Sequence, residues 1–378
     1  MDLSPAPVVL AAAAAAWLVV WLWDRRQRRR EATRKYLKGV RSMISDDPDA
    51  AIEALSDAAR LDTPQALETY LALGELFRRT GDLARAIRLH RNMLVGPGLD
   101  AALRPEVERE LAEDYRRSGM LGEAVELLLP HAGADRRAAE ALREVRADQG
   151  AWREAAALER GLPGGGSARR LAHLLAAAAR ADLAAGPPRV DAALDAAGQA
   201  VAADPRCAAA LLARSEALAA AGDGPRTLSA LEQALDAEPR AGVLAWPPLA
   251  RLARPEDGEA ALAFLRRRVA AGRQDPALRM LEGRLLHRLG RRAEALAALR
   301  AALDLDEAGD VTLALRDLLR ESEAGAPGAG PDDLAARHDL VVTALRRRAR
   351  AVACVRCGAE APARAWRCRS CGTFDAFP

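Results

Sequence analysis

Small residues recur at fixed offsets along this chain, and that recurrence constrains the fold more than any other feature. Between Thr69 and His90, the residues Tyr70, Leu73, Gly74 and Phe77 follow a helical period, Gly81-Asp82 breaks it, and Ala86 sits in the next helical run. Leu111, Ala112, Tyr115, Gly119 and Ala124 repeat the arrangement with Gly119 38 residues after Gly81, and Gly150 and Ala155 repeat it again. Upstream, Gly39, Ala51, Leu55 and Ala58 fit a first unit that turns at Ser45 to Pro48. Downstream, Gly222-Asp223 and Gly290 are 68 residues apart, and Gly283, Leu286, Ala295, Leu299 and Ala302 make the last clear unit. Small side chains at Gly74 and Ala86 let two antiparallel helices approach closely while larger ones fill the groove between them. The chain is 50% apolar but only 3% aromatic, so its core must be built from Ala and Leu, which suits helix pairs and suits β-sandwiches badly.

This pattern resembles the tetratricopeptide repeat, whose period is about 34 residues. It implies an all-α fold, an α-solenoid of helical hairpins over residues 32–323, with the stretches 168–204 and 240–275 placed in the array by spacing. Pro205, Pro239 and Pro276 mark helix starts, and Pro163 to Ser167 reads as a flexible break between repeats. Stacked hairpins build an extended concave face that holds peptide segments or partner domains. The repeat register puts Glu68, Leu71, Glu75, Arg78 and Arg79 on that face in one unit, and Glu106, Arg109, Glu113, Arg116 and Arg117 in the next. The Arg residues form a candidate partner groove able to clamp carboxylates. The competing reading is a self-paired solvated face, because Glu75 and Arg79, and Glu113 and Arg117, are four residues apart.

The N-terminus carries a different pattern. Leu3 to Trp23 contains no charged residue, and 21 residues at about 1.5 Å each cross a hydrocarbon core of roughly 30 Å. Trp21 and Trp23 fall where an interfacial belt would anchor the helix, and Arg25, Arg26, Arg28, Arg29 and Arg30 follow at once. A cleaved signal would carry its positive charge before the apolar run. Residues 1–24 therefore read as a retained transmembrane anchor and 25–31 as an Arg-rich juxtamembrane segment, with everything beyond in the cytoplasm.

Residues 324–331 have the composition of a linker, 332–350 read as a helix, and 351–378 hold four of the five cysteines. Cys354-Val-Arg-Cys357-Gly358 and Cys368-Arg-Ser-Cys371-Gly372 place two C-x-x-C-G turns ten residues apart. Each turn converges two thiolates, and two such turns complete an S4 tetrahedron suited to one zinc or iron ion, zinc favoured. So short a segment builds no core of its own, so the metal supplies much of its folding energy. Trp366, Phe374 and Phe377 are expected to cover the site or dock it on the helices, and the module to fold back on the array. Cys207, among Ala residues, reads as inert packing.

Anchor, helical array and rubredoxin-like four-Cys module together resemble the lipopolysaccharide assembly protein B family. The likeness is carried by Tyr36 to Gly39, Asp47 to Leu55, Leu71 to Arg79, Ala86 to His90 and Trp366 to Cys371. The resemblance implies a bacterial inner-membrane adaptor that faces the cytoplasm. It implies as partners a membrane AAA protease and the lipid A-pathway deacetylase whose degradation that family promotes, thereby balancing lipopolysaccharide against phospholipid. A redox partner built on the four-Cys module and a generic membrane-tethered scaffold are the alternatives, and a second copy of the chain is a further candidate partner. An enzyme is not expected: the five histidines are dispersed, and no G-x-S-x-G, P-loop or H-E-x-x-H occurs. Nor is nucleic acid expected as a partner, since 56 Lys+Arg stand against 53 Asp+Glu.

Overall fold

The computed structural model describes residues 16–28, 30–31, 34, 66–95, 99–271, 275–303, 352–361 and 366–375. The chain divides into a compact unit ending at Gln149 and a second beginning at Gly150. In the first, α1 (Ala66–Arg79), α2 (Leu83–Val95), α3 (Arg104–Ser118), α4 (Leu121–Leu128) and α5 (Arg136–Asp148) pack each against the next. In the second, α6 (Trp152–Arg160), α7 (Ala168–Ala184), α8 (Val190–Ala203), α9 (Ala208–Ala220) and α10 (Gly224–Ala237) lead to a 3-10 turn at Pro239–Leu244. Then come α11 (Trp246–Arg251), α12 (Gly258–Ala271), α13 (Pro276–Arg288) and α14 (Arg292–Leu303). Strands β1 (Val352–Ala353) and β2 (Glu360–Ala361) pair antiparallel, Val352 opposite Ala361.

Helical hairpins follow the sequence period. The turn residues Gly81, Gly119, Gly150, Gly222 and Gly290 all have φ between 75° and 84°, a conformation that lets the chain leave one helix and enter the next. Ala86, Ala124, Ala155 and Ala295, the small positions of successive second helices, are fully buried. A Cβ on Gly74 would overlap the ring of His90, and a Cβ on Gly283 would overlap Leu299, sixteen residues on in both hairpins. Gly74→Ala is therefore expected to destabilise the first unit by about 1–3 kcal/mol, read as a lower urea midpoint with unchanged helix content. An unchanged midpoint would show that His90 moves aside freely.

Local stops and starts are explicit. Asp135, Ser167, Asp223 and Asp275 accept backbone N–H bonds at the N-termini of α5, α7, α10 and α13. Pro239 and Pro276 do open their elements, whereas Pro205 lies in the turn before α9. Residues 163–167 also differ from the flexible break expected: Gly165 N–H bonds Leu162 O at 2.9 Å and Ser167 N–H bonds Glu159 Oε1 at 2.5 Å. The loop is a closed turn that delivers the cap of α7. Among the described residues the degenerate stretch 240–275 holds the 3-10 turn, six-residue α11, which opens on Pro247 and Pro248, and α12.

Residues 16–28 are helical, with Trp17 stacked on Trp21 at 6.4 Å and the Arg25 guanidinium 5.0 Å from the Trp21 ring centre. Among the described residues no helix is long and apolar enough to cross a membrane, and most of the anchor expected at residues 3–23 lies outside them. The unit expected around Gly39 to Ala58, the 324–331 linker and the 332–350 helix also lie outside the described residues.

Candidate metal centre

Two matching turns build the site. Cys354 N–H bonds Ala359 O at 3.0 Å and Gly358 N–H returns to Cys354 O at 2.9 Å. Its twin repeats both bonds, Cys368 N–H to Thr373 O at 2.8 Å and Gly372 N–H to Cys368 O at 2.9 Å. Gly358 and Gly372, at φ 68° and 73°, make these closures possible. The short β1–β2 pair closes the first turn, and a bridge between Arg367 and Phe374 closes the second.

The four thiols Cys354, Cys357, Cys368 and Cys371 converge, all sulfurs within 4.8 Å of one another. Cys354 Sγ lies 3.6 Å from Cys371 Sγ, and Cys357 Sγ 3.8 Å from Cys368 Sγ. A tetrahedron with metal–sulfur bonds of about 2.3 Å has edges of about 3.8 Å, close to the two shorter separations, so the donor set is of the size that holds one metal ion. Those separations are far longer than the roughly 2.05 Å of a disulfide. Burial pushes the Cys371 thiol up, but the Thr373 hydroxyl and N–H outweigh it and bring it down to about 6. Arg356 donates to Thr373 Oγ1 at 3.1 Å, which leaves the hydroxyl proton for Cys371 Sγ 3.2 Å away. At the exposed Cys357 the Ala359 N–H favours the thiolate, yet the three neighbouring sulfurs and partial desolvation push the thiol up to about 11. A bound cation is what lets all four ionise together.

The ribbon rests on α7. Asp375, at φ 50°, receives His173 Nε2 at 2.9 Å and Arg169 Nε at 2.7 Å on its Oδ2. Phe374 stacks on the His173 ring with centres 4.8 Å apart, and Trp366 lies 6.0 Å from the same ring and packs against the helical core. The Arg367 guanidinium sits 5.9 Å from both the Trp152 and Phe374 ring centres. Docking by Trp366 and Phe374 thus follows the sequence reading, while Phe377 lies outside the described residues. Cys207 is fully buried at the N-cap position of α9, makes no cap bond through its side chain, and has its Sγ 3.8 Å from His173 Nε2.

Burial by itself would lower the His173 pKa, but its bonds to Asp375 and Cys207 raise it to about 9. A raised folded-state value means that this pairing contributes fully below the unfolded pKa near 6.5 and is lost as pH climbs to about 9. The melting-temperature gap between the metal-loaded protein and its His173→Gln variant should accordingly be widest near pH 6 and close above pH 9. A gap independent of pH would contradict the pairing.

The candidate groove arginines have varied surroundings. Arg78 binds Glu110 at 2.7 Å and Asp114 at 2.9 Å. Arg116 binds Glu113 at 2.6 Å and Asp148 at 2.7 Å, and Arg117 binds Glu113 at 2.9 Å. Burial works against the charge of Arg116, and the two carboxylates more than reverse it, raising its pKa further. Arg109 lies 3.7 Å from Glu106 and 3.8 Å from Asp135, and Arg79 is exposed. Arg78 and Arg116 therefore tie successive first helices together, a contact the four-residue pairing rule did not anticipate. Beneath Arg78, Asp114 also holds the fully buried His90 at 2.6 Å between Nδ1 and Oδ2.

Fold and site define a tetratricopeptide-like helical array that ends in a four-thiol metal ribbon. A family model described as a rubredoxin metal binding domain matches residues 353–378, and a tetratricopeptide repeat model matches residues 277–308. Lipopolysaccharide assembly protein B of Escherichia coli (strain K12) is 32% identical over 95 residues, 25% of this chain and 24% of that protein. Its Haemophilus influenzae namesake is 24% identical over 123 residues, 29% of this chain and 31% of that protein. These matches bear out the resemblance read from the sequence: the chain is similar to lipopolysaccharide assembly protein B over segments that span a quarter to a third of those proteins. Similar solved structures include the MamA protein, at 17% identity and TM-score 0.30 over 56% of this chain and 93% of that one. A tetratricopeptide repeat protein from Parabacteroides merdae is 14% identical, with TM-score 0.33 over 77% of this chain and 99% of that one.

Proposed function

We propose that this chain is a membrane-tethered, non-enzymatic adaptor in lipopolysaccharide assembly. The observation that supports it best is the joint presence of a helical-hairpin array and a four-thiol ribbon in a relative of lipopolysaccharide assembly protein B. On this reading the uncharged run 3–23 anchors the chain in the inner membrane, the Arg cluster keeps the array in the cytoplasm, and the ribbon carries one zinc ion. The array holds a membrane AAA protease and the lipid A-pathway deacetylase. Tethering raises the local concentration of its binding face, so weak contacts suffice to hold both. Of the groove residues, the exposed Arg79 is the most available to a partner carboxylate. Arg109 and Arg117 would exchange their pairs with Glu106, Asp135 and Glu113 for it, and Arg78 and Arg116 are committed between helices.

Affinity purification from detergent-solubilised membranes, with partners identified by mass spectrometry, tests this reading. Recovery of the protease and the deacetylase is expected, and both should be lost when residues 1–24 are deleted. Recovery of neither would reduce the reading to a scaffold for another complex. Protease added to intact spheroplasts should leave the array intact; digestion would overturn the topology.

A further inference from the structure

The ribbon has too little apolar interior to hold its own shape. Among the described residues its core is Cys354 and Cys368, with Ala359 and Cys371 packed beside them. The ligands of the metal site are thus also the interior of the ribbon, and a metal-free ribbon of this size does not keep a fold. The groups that touch α7, and Arg367 which touches Trp152 of α6, are built on the same turn. Trp366 and Arg367 precede Cys368, Phe374 and Asp375 follow Cys371, and Asp375 N–H bonds Trp366 O at 2.8 Å to close the turn on itself. Whatever fixes Cys368 and Cys371 therefore fixes all four contacts with the array.

The receiving surface is equally specific. His173 is buried, with Phe374 stacked on its ring and Asp375 on Nε2, while its Nδ1 has no partner among the described residues. Arg169, one turn earlier on α7, takes the same carboxylate oxygen. A buried imidazole whose charge partner comes from 202 residues away depends on that partner staying in place. Withdrawing Asp375 leaves His173 beside Cys207 alone.

We propose that the ribbon is a releasable clamp on α7: metal at the four thiols holds Phe374 and Asp375 in position, those two hold His173 and Arg169, and loss of the metal frees that face of the array. The inference rests on the metal centre and not on the adaptor reading, so either can fail without the other. In it Asp375 and His173 are positioning residues that pass the state of the metal to the helices. The covered face centres on the buried His173, with the partly exposed Arg169 at its edge, and His173 becomes accessible when the clamp opens.

Hydrogen exchange followed by mass spectrometry on the full-length, detergent-solubilised protein tests this. Peptides covering 168–184 are compared before and after removal of metal with a chelator under reducing conditions. Chelation should speed exchange in α7 at least tenfold and leave α1 to α4 unchanged. Asp375→Asn and His173→Gln should speed α7 exchange in the same way while each variant keeps its full metal content, which a merely unfolded ribbon would not. Equal α7 exchange with and without metal would overturn the clamp. So would Asp375→Asn exchange as slow as that of the metal-loaded parent.

Discussion

Replacing Cys354 and Cys368 together with Ser will reduce bound metal to near zero while leaving the helix content of residues 66–303 almost unchanged. Structural zinc binding by small cysteine-rich modules is worth about 10–16 kcal/mol at neutral pH, and most of it is lost with two of the four thiolates. The ribbon interior is made of those same cysteines, whereas the helices have separate apolar cores around Leu73, Leu76 and Phe77 and around Leu231, Leu262 and Phe264. Metal content of the purified variant and its far-ultraviolet dichroism check both halves of the expectation. Metal retained in the double variant would mean that the ion binds elsewhere, and loss of the helical signal would mean that the array depends on the ribbon for its fold.

Asp114→Ala will be the most damaging single change in the first unit, costing about 3–5 kcal/mol. Asp114 is fully buried and serves two partners, the Arg78 guanidinium at 2.9 Å and the His90 ring at 2.6 Å. Removing it leaves Arg78 with Glu110 and leaves the buried His90 ring, pressed against Gly74, with no hydrogen bond. Arg117→Ala, on a partly exposed pair with Glu113, should cost about 0–1 kcal/mol. Urea unfolding of the two variants separates them. Similar midpoints would show that the buried network adds little.

Periodicity made the array legible because the tight turns need a left-handed residue and the helix crossings need a small one, which restricts both positions to few amino acids. Gly119 and Ala124 are therefore recognisable without any structure. The metal centre was legible for a similar reason, since C-x-x-C-G specifies a turn as well as two ligands. Contacts between repeats were harder to see. Arg78 reaches Asp114 and Arg180 reaches Glu216, both 36 residues on, and Arg116 reaches Asp148 at 32. Those separations are close to one repeat, so an Arg and a carboxylate a period apart would have revealed them, whereas a search limited to four residues offered only Glu75 with Arg79 and Glu113 with Arg117. The docking of Asp375 on His173 had no such signature. Each residue is ordinary in its own neighbourhood, and only the tertiary fold brings them together across 202 positions.

The half-life of the lipid A-pathway deacetylase in a strain depleted of this protein tests the proposed role most directly. On that proposal the adaptor holds the protease and its client together, so that without it the client should persist. A deacetylase several-fold longer-lived, with lipopolysaccharide rising relative to phospholipid, is the predicted result, and restoring the full chain but not the Cys354→Ser/Cys368→Ser variant should reverse it. An unchanged half-life on depletion would contradict the adaptor role.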